Sequence, residues 1–124
     1  MNKKTFGEHL RELRKQRNLT QRELAQKAGI DFTYLSKVET SRMSPPSEKT
    51  ILDIAAVLEL NQDESDELLL LAKKIPSSAK NMIIENQHIQ EVFRTARNSD
   101  LTEKDWQDIM YLIKDEIRKR EKGT

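Results

Sequence analysis

A chain of 124 residues holds one domain, or one small domain with an appendage, and is too short for a barrel or a doubly wound α/β enzyme. Charged and hydrophobic residues each make up 35%, against about 25% and 45–50% in typical domains, so the core is thin and the surface polar around a net charge of +1. The absence of cysteine excludes disulfides, thiolate zinc sites and thiol redox sensing, and two histidines, His9 and His88, exclude a histidine-rich metal centre.

No apolar run approaches the ~18 residues of a membrane span. The start lacks an apolar secretory segment, so a cytoplasmic protein is expected. Few glycines and prolines, with abundant Leu, Glu, Lys, Arg and Gln, point to an all-α fold.

Phe6, Leu10 and Leu13 recur at helical spacing and predict a first helix from about Phe6 to Gln16. Thr5 caps its start, and Asn18 suits the left-handed turn after its end. Thr20 and Glu23 form a capping box for a second helix burying Leu24, Ala25 and Ala28, which Gly29 ends. Asp31 caps a third helix, about Phe32 to Thr40, with Leu35 and Val38 inward and Phe32, Thr33, Ser36 and Lys37 outward. Residues 41–46 form a loop, since Pro45 and Pro46 lack amide donors. Ser47 caps a fourth helix carrying Ile51, Ile54, Ala55 and Leu58. A fifth starts at Asp63 and carries Leu68, Leu69, Leu71 and Ala72. A boundary is placed at Pro76, giving a first domain of residues 1–76 and a C-terminal segment of residues 77–124. Within that segment Met82 to Ala96 suggest one or two short helices. Thr102 caps a last helix, about Glu103 to Lys122, with one apolar stripe of Trp106, Ile109, Met110, Ile113 and Ile117.

The charge is unevenly spread. Residues 1–42 carry net +5, residues 43–76 net −4, and residues 77–124 are neutral. A basic N-terminal third points to a localised anionic partner. The acidic run around Asp63, Glu64, Asp66 and Glu67 lies at a helix start, where it complements the dipole, and reads as a solvated face. No phosphate loop, nucleophile elbow or His-Glu-x-x-His is present, so no enzyme, metal or cofactor is expected.

Gln21 through Val38 make two short helices around a glycine turn, a helix-turn-helix pattern. The runs Leu19-Thr20-Gln21-Arg22-Glu23-Leu24-Ala25, Ala28-Gly29-Ile30 and Tyr34-Leu35-Ser36-Lys37-Val38-Glu39 resemble the Cro/lambda-repressor-type (XRE) DNA-binding domains, over roughly residues 5–75. The resemblance implies a five-helix fold that sets the second helix of the motif into the major groove. It implies base reading by Phe32, Thr33, Ser36 and Lys37: Phe32 against a thymine methyl, Lys37 to guanine. Phosphate contacts are implied for Gln21, with Tyr34 and Arg42 beside it, and diffuse attraction for Lys3, Lys4 and Arg22. It makes Arg14 and Glu39 an inter-helix salt bridge. The sequence departs from the pattern at Ser41, where these domains usually carry glycine.

One apolar stripe on one added helix finds little core within the chain. Self-association through Trp106, Ile109, Met110, Ile113 and Ile117 is the economical reading, because a two-fold dimer presents two recognition helices to a double-stranded DNA operator. The expected function is a homodimeric, sequence-specific transcription regulator, a repressor. Two alternatives stay open: an antitoxin whose C-terminal part binds a partner toxin, and an interaction module that keeps the fold without DNA binding. The layout loosely resembles repressors cleaved by a partner protease, which would separate DNA reading from dimerisation.

Overall fold

Side-chain oxygens start the helices of the N-terminal body, and left-handed residues end them. The computed structural model describes residues 4–123, which form eight helices and no strand. Five belong to the first unit: α1 (Phe6–Gln16), α2 (Gln21–Ala28), α3 (Phe32–Glu39), α4 (Glu48–Val57) and α5 (Gln62–Leu71). Their caps are Thr5, Thr20, Asp31, Ser47 and Asn61, each accepting the backbone amide three residues on. This satisfies one of the amide donors that every helix start leaves without an acceptor. At Thr20 the Glu23 carboxylate returns the bond to the cap amide at 3.0 Å, which holds the Glu23 carboxyl below the usual carboxylate range.

The fifth helix corrects one expectation. It starts at Gln62, not Asp63, because Asn61 and Glu64 close a capping box one register earlier.

All five helices end alike. Asn18, Gly29, Ser41, Glu59 and Lys73 have φ between 55° and 70°. The next amide in each case bonds back to the carbonyl five residues before it: Leu19 to Arg14, Ile30 to Ala25, Arg42 to Lys37, Leu60 to Ala55 and Lys74 to Leu69, at 2.8–3.2 Å. This is the Schellman closure, which satisfies carbonyls the helix cannot. Leu19, Ile30 and Leu60 then fold onto the core. Ser41 therefore takes the left-handed turn usually given to glycine, at φ 63°.

The core joins Leu10, Leu24, Leu35, Ile51, Ile54, Leu58 and Leu68, all fully buried. Each contributes roughly 1.5–3 kcal/mol by leaving water. Helix α2 packs on α3 and α4, α1 on α3 and α5, and α4 on α5. Arg17 adds a fastening from the end of α1, donating Nε–H to the Leu58 carbonyl at 2.6 Å.

Gly7 is where α1 passes the end of α3. A Cβ there would overlap the carbonyls of Val38 and Glu39, the latter at 2.6 Å. Gly7→Ala is expected to cost roughly 1–3 kcal/mol, because backbone cannot step aside as a side chain can. Chemical denaturation monitored by circular dichroism checks this; an unchanged midpoint would show that the two helices part freely.

The chain divides into two compact units, one ending at Lys80 and one beginning at Asn81. The division falls inside α6 (Ser77–Glu85), which is followed by α7 (Gln87–Arg97) and α8 (Glu103–Lys122). Gln90 ties the start of α7 to the end of α6 by donating to the Ile83 and Ile84 carbonyls at 2.8 and 3.1 Å. Thr102 and Asp105 form a capping box on α8. No residue of α6, α7 or α8 is buried. Among the described residues, no helix is long and apolar enough to cross a membrane.

Candidate nucleic-acid interface

The α2–turn–α3 motif gets its angle from Gly29. A left-handed residue one turn after Leu24 and Ala25 lets Asp31 start α3 at once. Leu35 and Val38 then point into the core, and the opposite side of α3 faces solvent. Thr33 and Lys37 are exposed there, four residues apart and so on one face, with Ser36 half-buried beside them. Tyr34 is half-buried and packs against the core. Arg42 is exposed just past the Ser41 turn.

Phe32 sits differently from the outward position expected of it. Its ring is half-buried, packs against the core, and lies under the Arg22 guanidinium, whose central carbon is 4.3 Å from the ring centroid. As the first residue of α3 it stands beside the start of α2, so one side of the ring finds protein.

The motif is anchored to α1 by a buried ion pair. Arg14 donates Nε–H to Glu39 Oε2 at 2.8 Å and Nη2–H to Oε1 at 3.0 Å, a two-point contact. Its Nη1 reaches the Leu19 carbonyl at 2.8 Å, fixing the turn that leads into α2. The Arg14 side chain is 9% exposed and the Glu39 side chain fully buried. Sequence reasoning missed a third member: Gln21 donates Nε2–H to the same Glu39 Oε1 at 2.9 Å.

Gln21 and Arg22 open α2 beside an open basin also lined by Lys15, Asn18, Thr20 and Phe32. Among the described residues, no acidic side chain lines it. The free N–H groups of a helix start and the cations Lys15 and Arg22 make this a surface for an anion. Lys4 is engaged elsewhere, pairing with Glu12, and its hydrogen bond lowers the Glu12 carboxyl below its ordinary range. Lys3 lies outside the described residues.

On α8, Trp106, Met110, Ile113 and Ile117 are each 45–48% exposed, and Ile109 is half-buried. Tyr111 and Leu112, outside that stripe, are more exposed still. The helix is thus apolar on all sides over residues 109–113, where a single stripe was expected. Met82, Ile84, Val92 and Phe93 on α6 and α7 are also open to solvent.

Residues 5–68 match the family described as a helix-turn-helix domain. The chain is 32% identical to the HTH-type transcriptional regulator RghRB of Bacillus subtilis over 91 residues, 73% of this chain and 66% of that protein. It is 28% identical to the HTH-type transcriptional regulator YqaE of the same organism over 95% of this chain and 97% of that one. It is also 28% identical to the immunity repressor protein of Bacillus phage phi105, covering 77% of this chain and 67% of the repressor.

Proposed function

Because the chain belongs to the helix-turn-helix domain family, we propose that this XRE-type regulator binds a double-stranded DNA operator as a homodimer and acts as a repressor. The observation that carries the reading is the face of α3. Thr33, Ser36 and Lys37 share one side of a helix whose base is fixed to α1 and α2 by the buried Arg14–Glu39 pair. A helix held that firmly presents its side chains to base edges without first paying to order them. In this reading Thr33, Ser36 and Lys37 read bases, Gln21 and Arg42 contact phosphate, and the half-buried Tyr34 orients its hydroxyl toward the backbone. Phe32 is assigned a supporting place beneath Arg22 instead of a base contact. The likeness to a phage immunity repressor favours repression over activation.

The dimer is proposed from the second unit. Its helices have no buried residue among those described, yet α8 carries a long apolar surface. A second copy covers that surface and sets two recognition helices about one DNA turn, ~34 Å, apart. The same exposure favours a second reading, in which a different protein docks on α8. Sedimentation of the purified chain separates the two: a dimer in the absence of any partner supports self-association, and a monomer favours the partner.

Binding should weaken steeply with salt, since lysines and arginines displace condensed counterions. Arg42→Ala is expected to weaken binding to all sequences about equally and to lower the slope of log affinity against log salt by about 0.9. Lys37→Ala is expected to relax preference at one base pair, a discrimination of roughly 1–3 kcal/mol. Competition binding with single-base-pair operator variants checks both, and an unaltered preference in Lys37→Ala contradicts its role.

A further inference from the structure

The two ends of α3 each hold a side chain at the start of α2. Glu39, its last residue, accepts the Gln21 amide at 2.9 Å, and Phe32, its first, carries the Arg22 guanidinium at 4.3 Å. Gln21 and Arg22 are neighbours at the basin lined also by Lys15 and Phe32. We infer that Arg22 is a second DNA-phosphate contact alongside Gln21, and that Phe32 and Glu39 are the residues that position the two of them.

The chemistry of each pair supports this. A carboxylate only accepts hydrogen bonds, so Glu39 fixes which way the Gln21 amide faces and uses one of its two N–H groups. Glu39 cannot turn away, because Arg14 grips both of its oxygens. The second Gln21 N–H remains for a phosphate oxygen. Stacking uses the face of the Arg22 guanidinium and leaves its edge donors, whose fork matches two phosphate oxygens. Arg22 is exposed while its platform is half-buried in the core, so the ring is fixed and the charge is on the surface. Base reading on α3 and phosphate contact on α2 thereby share one rigid body, and a shift of α3 moves both. The inference rests on the DNA-binding reading above.

Phosphate contacts are independent of sequence, so a mixed-sequence duplex of about two helical turns serves as probe, titrated with the full chain across a salt series at low ionic strength. Arg22→Met is expected to weaken binding about threefold to tenfold and to lower the salt slope by about 0.9. Gln21→Met is expected to weaken it by a similar factor with the slope unchanged, since glutamine releases no counterion. Phe32→Leu keeps the apolar bulk and should weaken binding in the wild-type background but not in Arg22→Met. Glu39→Asp keeps the charge opposite Arg14, shortens its reach, and should weaken binding in wild type but not in Gln21→Met. Additive losses in either pair overturn the inference while leaving DNA binding intact. A wild-type chain with no salt-dependent binding overturns the functional reading and the inference with it. Should Glu39→Asp fail to fold, the Gln21 side-chain amide in the wild-type chain decides its pair by nuclear magnetic resonance. A slowly exchanging pair that shifts on duplex addition supports the positioning, and a solvent-like pair indifferent to duplex refutes it.

Discussion

Replacing Arg14 with alanine is expected to lower folding stability by about 3–5 kcal/mol, and Glu39→Ala by a similar amount. Each change strands the partner's charge in a site almost closed to water. Arg14→Ala also frees the Leu19 carbonyl, and Glu39→Ala frees the amide of Gln21. The double variant should lose less than the sum, because no lone charge is left behind. Equilibrium denaturation of the four proteins measures this directly. Small, additive losses of the size found for exposed pairs would show that the bridge is solvated.

The second large effect is expected at Ile113, in the middle of the α8 stripe and 48% exposed. Ile113→Glu places a charge where a second copy is proposed to pack. It should convert a dimer to a monomer in sedimentation and reduce operator affinity by a factor on the order of 10² or more, as the gain from linking two half-sites is lost. Helical content by circular dichroism should be retained, which separates loss of the interface from loss of the fold. An Ile113→Glu protein that stays dimeric and binds as tightly as wild type would refute the proposed interface.

Much of the first unit was legible because its signals are local. Thr5, Thr20, Asp31 and Ser47 each stand one residue before a helix they cap, and the apolar spacing fixes which side goes inward. The start of α5 lies one residue before the acidic run Asp63 to Glu67, because the Asn61–Glu64 box sets it and the charge pattern does not. The left-handed closures at Glu59 and Lys73 gave no sign, since those residue types carry no preference for that conformation, and Ser41 was marked only by standing where the family usually has glycine. Their conformation is imposed by the bonds that close each helix.

The candidate site divides the same way. The outward placement of Thr33 and Lys37 follows from helical spacing, and their proposed base-reading role, with Ser36, from the family resemblance. The Gln21–Glu39 bond and the Arg22–Phe32 stack do not, because they join residues 18 and 10 positions apart through the crossing of α2 and α3. Gly7 reads in sequence as a weak helix former, and only the backbone of α3 beside it explains why no side chain is there. The second unit was least legible. Five consecutive apolar residues, Ile109 to Ile113, run round α8 amid a charged helix, so periodicity alone does not say which side is covered.

Selection of bound sites from random double-stranded DNA by the intact chain tests the central claim most directly. A regulator that reads DNA as a two-fold dimer predicts an enriched palindrome whose half-sites are centred about 10 base pairs, or a multiple of one helical turn, apart. Lack of any enriched sequence, or enrichment of a lone half-site with no fixed spacing, would contradict it.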